Sequence, residues 1–201
     1  IQRNYLNMEG SDYGDHAVDR ILRLSDELHF QYRIHEAYTG INIGTKAKLN
    51  TFVHHYGYVS ANGGNQEEKS KRNRELIELE VSEHPEDMRM QHQLVMDYYG
   101  TGDYDKAIES AHRAIKIKSN SQYWDTVHND MLFCYQAKKD WEALIRQGER
   151  FLNDNLFPYH EFGVRQYLIA AYYNLKRYSD ICRLAPNVID TYSDYKKDPT
   201  K

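Results

Sequence analysis

The chain has 201 residues, enough for one ordinary domain or for a small segment joined to a repeat array. Hydrophobic residues make up 40% and charged residues 28%, and 18 tyrosines supply amphipathic surface that disordered chains lack. The longest apolar runs, such as Tyr167–Tyr173, fall far short of the roughly 20 residues of a membrane span, and the net charge of −4 argues against a dedicated nucleic-acid binder.

The first 60 residues read as irregular and β-like. Leu28–Tyr38 alternates, with Phe30, Tyr32 and Ile34 on one face, which predicts a single strand ending near His35 and Glu36. Thr51–Val59 is a second aromatic and β-branched run, with Gly57 expected at a bulge or close backbone approach. The breaker cluster Ser60–Glu68 places a linker at 61–66. Helical periodicity then holds over 67–193, and 194–201 reads as a disordered tail. Cys134 and Cys182 both sit in apolar helical patterns and are expected to be buried, reduced thiols in a cytoplasmic or membrane-peripheral protein. The chain opens on Ile1 with no apolar leader, and is expected to be a fragment or a processed product.

The helical part repeats. A shift of 37 residues aligns Tyr98, Tyr135 and Tyr172, and likewise Leu94, Met131 and Leu168. It also aligns Tyr104, Trp141 and Tyr178, then Ala107, Leu144 and Ile181, then Ala111, Gly148 and Ala185. Each copy reads as helix, short turn, helix, with Asp103 as the N-cap after the first turn. A further helix over about Glu67–Glu83 is expected to close the open end of the stack. The fold class is therefore mainly α: an α-solenoid of about seven helices behind a small irregular or β segment. These residues resemble tetratricopeptide repeats, whose period is near 34 residues. Copies two and three depart from that pattern, with Lys139 and Lys176 where copy one has Gly102.

A second resemblance covers nearly the whole chain. In order come Arg20-Ile21-Leu22-Arg23, Ile34-His35-Glu36, His55-Tyr56-Gly57-Tyr58, Lys71-Arg72-Asn73, and a Leu/Glu-rich helix ending in His84-Pro85-Glu86-Asp87. This set resembles the C-terminal region of bacterial family-2, GT-A-type inverting glycosyltransferases that carry tetratricopeptide-like repeats. Leu22 stands where that family usually has an aromatic residue. The resemblance implies that residues 1–60 are the tail of a catalytic domain. It implies sugar transfer from a nucleotide-sugar donor to a cell-surface polysaccharide or peptide acceptor, with a carboxylate base and a divalent metal, Mn or Mg. Within it, Glu36 is the candidate catalytic residue and His35 the candidate metal or diphosphate contact, against a structural hydrogen bond for both. His55, Tyr58, Arg72 and Asn73 are candidates for a domain junction or acceptor contact, with a solvated helix face as the other reading of Arg72 and Asn73. The nucleotide-binding half lies N-terminal to this chain in that family, so the isolated chain is expected to hold no cofactor and to be inactive. Asp103-Tyr104-Asp105 has metal-loop spacing but begins a helix inside a repeat, where a cap is the simpler reading.

The first helix of each repeat in such stacks lines a concave face. Here that face is expected to present Arg89, His92, Met96 and Tyr99, then Asn129, Phe133 and Gln136, then Gln166 and Tyr173. Rings and amides with little charge suit an extended polypeptide or a glycan. Alternatively these residues pack between repeats or against a second copy in a homodimer. A stand-alone repeat scaffold without catalysis is the competing function.

Overall fold

The computed structural model describes residues 2–5, 13–16, 25–40, 51, 53–55, 66–154 and 156–197. Gly57, Tyr58 and the Arg20–Arg23 motif lie outside the described residues, as do 61–65 of the expected linker and the last four residues of the expected tail. The chain divides into two units, Ile1–Leu76 and Ile77–Lys201.

In the first unit, β1 (Gln2–Tyr5) pairs antiparallel with β2 (Tyr13–His16), Gln2 opposite His16, and parallel with β5 (Val53–His55), Gln2 opposite Val53. The expected single strand over Leu28–Tyr38 is instead a hairpin. β3 (His29–Gln31) turns back on β4 (Ala37–Thr39), with Phe30 opposite Tyr38. The chain reverses through Tyr32 and His35, at φ 73° and 53°, a left-handed conformation that strand alternation alone does not signal. Gly40 follows at φ 81°, where a Cβ would overlap the Glu27 carbonyl, so only glycine fits.

The second unit is a stack of helix pairs. α1 (Gln66–Glu83) carries the unit boundary; α2 (Met88–Gly100) pairs with α3 (Tyr104–Ile115), α4 (Gln122–Ala137) with α5 (Trp141–Phe151), and α6 (Pro158–Asn174) with α7 (Tyr178–Lys197). The first helices α2, α4 and α6 lie side by side, and α3 and α5 each pack on the next first helix. The helix α7 continues to Lys197, past the expected boundary at 193.

The 37-residue alignment becomes a set of equivalent contacts. Leu94, Met131 and Leu168 are all buried, as are Tyr98, Tyr135 and Tyr172. Each fully buried aliphatic side chain contributes roughly 1.5–3 kcal/mol relative to exposure. Each tyrosine hydroxyl reaches a side chain on the preceding helix: Tyr98 donates to Glu78 at 2.5 Å, Tyr135 lies 3.4 Å from His112 Nε2, and Tyr172 donates to Glu149 at 2.6 Å. Glu78 thus places the end of α1 where α3 and α5 stand in later copies, with Ile77 fully buried beside it, so the stretch Ile77–Glu83 packs on the first repeat.

The turns repeat as well. Asp103 N donates to Tyr98 O and Gly102 N to Tyr99 O; Asp140 to Tyr135 and Lys139 to Gln136 follow, then Arg177 to Tyr172 and Lys176 to Tyr173. This 6→1 and 5→2 pairing needs a left-handed residue at the helix end. Gly102 supplies it at φ 80°, and Lys139 and Lys176 adopt it at 58° and 59°. The lysine departures in the sequence therefore leave the turn unchanged. The side chains of Asp103 and Asp140 cap the next helix, accepting from Lys106 N and Ala143 N. Gly148 has its own reason: a Cβ there would lie 2.8 Å from Leu168 Cδ2, so the small residue lets α5 approach α6. The protein is mainly α, a tetratricopeptide-like stack preceded by short strands.

One cysteine departs from expectation. Cys134 is buried, but Cys182 is exposed on α7, on a face that no other described helix covers.

Candidate functional site

The adjacent first helices build a continuous strip of polar and aromatic side chains. His92 on α2 is only 7% exposed, and its Nε2 lies 3.1 Å from Asp130 Oδ2 on α4. The His92 ring also sits 5.5 Å from the Tyr123 ring. Further along α2, the Tyr99 ring meets Phe133 of α4 at 5.2 Å. On the other side of α4, Asn129 Nδ2 donates to the His160 carbonyl at 3.3 Å. Gly163 makes room for that amide, since a Cβ there would overlap the Asn129 oxygen.

The Asp130 charge reaches several groups of the strip. Burial pushes the Tyr99 and Tyr167 hydroxyls above their ordinary range, and the Asp130 charge adds to both. Burial holds His160 below the usual histidine value, opposed by Asp125 and Asp130. The Cys134 thiol is pushed up to about 12, first by burial and then by Asp130, which leaves it protonated and inert as a nucleophile. His92 Nδ1 and Nε2, Asn129 Oδ1 and Asp130 Oδ2 are buried without a hydrogen bond. For His92 and Asp130 the separation is short enough, but the alignment is not that of a hydrogen bond. Buried polar groups left in this state cost about 1–3 kcal/mol each.

The structure brings the expected strip residues onto α2, α4 and α6 but treats them unequally. Met96, Phe133 and Tyr173 are 36%, 39% and 65% exposed, leaving apolar surface open. Tyr173 leans on the Tyr178 ring of α7 at 6.2 Å. Gln166 is exposed, and Arg89, Tyr99, Asn129 and Gln136 are half-buried. His92 and Asn129 pack between neighbouring helices rather than standing open. The sequence pattern does not single out Asp130, His160 or Tyr167. Asp130 and Tyr167 are equivalent under the 37-residue shift, one position beyond Asn129 and Gln166, and that equivalence is the signal the sequence offers.

His128 is fully buried on the other side of α4, between Trp124 and Phe151 at 4.2 Å each, with Nδ1 2.9 Å from Trp124 O. Its place is the core.

The residues of the glycosyltransferase resemblance are scattered over the first unit. His35 and Glu36 are exposed in the turn between β3 and β4. His55 ends β5. Arg72 donates to Asn73 Oδ1 at 3.1 Å on an exposed stretch of α1. Among the described residues no group of three or more His, Cys, Asp or Glu is placed to hold a metal ion. No described helix is long and apolar enough to cross a membrane.

No family model matches the chain, and no curated protein matches it. Several solved structures resemble it, among them three repeat-containing chains. One, described as "MamA MSR-1 C2", has a TM-score of 0.49 and 12% identity, covering 64% of this chain and 71% of its own. Two come from Podosopora anserina and are described as "putative kinesin light chain nearly identical TPR-like repeats". The first of these, a substituted form, has a TM-score of 0.48 and 17% identity, covering 66% of this chain and 71% of its own. The other has a TM-score of 0.47 and 18% identity, covering 66% and 70%.

Proposed function

We propose that the chain is a protein-interaction scaffold whose first-helix strip binds an extended polypeptide. One observation carries this reading: α2, α4 and α6 leave Met96, Phe133 and Tyr173 open beside the polar line of His92, Asn129 and Asp130. Open apolar side chains next to buried, unsatisfied polar atoms suit a ligand that offers both side chains and backbone amides. The test is selection of peptides from a random phage-displayed library on the whole chain. Selected peptides are expected to bind the Phe133→Ala, Tyr173→Ala double variant at least about 10-fold more weakly, in keeping with the loss of two interface anchors. Unchanged binding would place the site elsewhere. Light scattering of the same variant reports on a second copy as the occupant.

A second reading rests on the ordered motifs between Arg20 and Asp87. In it the chain is the C-terminal part of a glycosyltransferase, whose strip serves acceptor binding or dimerisation and whose Mn or Mg is held by a preceding domain. Calorimetry of the isolated chain with nucleotide sugars and manganese is expected to give no micromolar binding. In a longer parent, His35→Ala and Glu36→Gln are expected to lower turnover by on the order of 10²–10³ if they touch the transition state. An unchanged rate would remove both from the site.

A further inference from the structure

The strip holds one carboxylate whose position needs a use. Asp130 lies on α4, the middle of the three first helices, and its side chain is 17% exposed. Its Oδ2 makes no hydrogen bond, although His92 Nε2 stands 3.1 Å away. The cations on α6 and at the end of α4 have partners of their own: Arg165 pairs with Glu161 at 2.6 Å, and Lys138 pairs with Asp105. Phe133 lies one turn along α4 from Asp130, and Tyr99 of α2 and Tyr167 of α6 stand on the two flanking first helices. Tyr99 and Phe133 are in ring contact, and Tyr99 and Tyr167 are close enough to feel the Asp130 charge.

A largely buried carboxylate among rings selects for a cation with an apolar stem. The charge attracts an ammonium or guanidinium, and ring faces favour both the cation and its methylenes. An acidic or phosphorylated group would be repelled. A small metal ion would need more ligands than the strip offers, since no three candidate ligands come together among the described residues. A neutral glycan would leave the carboxylate without a counter-charge.

We propose that Asp130 is the specificity anchor of the strip and takes a lysine or arginine side chain of the bound polypeptide, with Tyr99, Phe133 and Tyr167 around its stem. The inference rests on the polypeptide-binding reading and sharpens it to one residue class. Peptides selected on the whole chain from a random phage-displayed library are synthesised with a fluorescent label. Their binding is measured by anisotropy against the parent, Asp130→Asn and the Phe133→Ala, Tyr173→Ala double variant. Expected is a shared Lys or Arg among selected peptides and a loss of at least about 30-fold on Asp130→Asn, the effect of removing one partner of a desolvated charge pair. Changing that peptide residue to norleucine should give a similar loss and leaves the protein untouched, so a folding defect cannot imitate it. Peptides that need Phe133 and Tyr173 but are indifferent to Asp130→Asn and to norleucine would overturn the anchor while keeping the binding strip. Failure to select any peptide that depends on Phe133 and Tyr173 would overturn both.

Discussion

The strands and the repeats handle burial in opposite ways. Over residues 25–40, 51, 53–54 and 68–76 no side chain is fully buried, and the β3 strand is exposed throughout. From Ile77 onward, every copy of the repeat has a fully buried aliphatic or aromatic centre, with Met131, Leu144 and Leu168 at 0% exposure. A local pattern such as alternation therefore says little about burial, whereas a pattern repeated three times at one spacing identifies the core. Each copy gains its buried face from its neighbours, so the same first-helix positions are buried in every copy.

That contrast breaks most readily at the centre of the stack. Leu168→Ala is expected to cost about 2–5 kcal/mol, because the cavity opens where α6 meets α5. Phe30→Ala, at a side chain 69% exposed, should stay within about 0.5 kcal/mol. Urea denaturation of both variants compares them, and equal losses would dissolve the contrast.

Next in size is Gly148→Ala. The added methyl meets Leu168 Cδ2 at 2.8 Å and Cγ at 2.9 Å, and Leu168 is enclosed, so overpacking outweighs the better helix propensity by about 1–3 kcal/mol. A more stable variant would mean that α5 and α6 can move apart freely.

Acid sharpens the same comparison. Burial holds His128 below the ordinary histidine value, opposed by its bond to the Trp124 carbonyl and by Asp154 and Asp125. The unfolded chain therefore takes up this proton first. The stability of neutral, packed His128 is complete above about pH 6.5 and is lost as pH falls below it, with a slope of at most about 1.4 kcal/mol per pH unit. Burial also lowers His112 and His160, so the sign is shared. Stability curves between pH 5 and 7 should be flatter for His128→Gln than for the parent; superimposable slopes would show that another group carries the acid sensitivity.

The smallest effect concerns the turns. Lys139→Gly and Lys176→Gly should each stabilise by up to about 1 kcal/mol, since both lysines hold left-handed backbone that glycine adopts without a Cβ penalty. Thermal melts of the single variants measure it. A lower melting temperature would mean that side-chain contacts of these lysines outweigh the relief of strain.

The sequence by itself determined the seven helices found among the described residues, the 37-residue register, the paired-helix turns and the cap at Asp103. All of these follow from spacing along one chain, because helix periodicity and hydrogen-bonded turns are local. It also placed Tyr99, Phe133 and Tyr173 on the first helices. Only the tertiary structure decided the rest. Folding Leu28–Tyr38 into a hairpin depended on left-handed Tyr32 and His35, which leave no signature in alternation. Exposure of Cys182 followed from what packs on α7, not from its own helical pattern. The meeting of His92 with Asp130 at 3.1 Å required the rotation and approach of α2 and α4 to be set. Spacing fixes which face of a helix a residue occupies, but an angstrom-scale contact between two helices is fixed by their packing, and there small residues such as Gly148 and Gly163 set the distance.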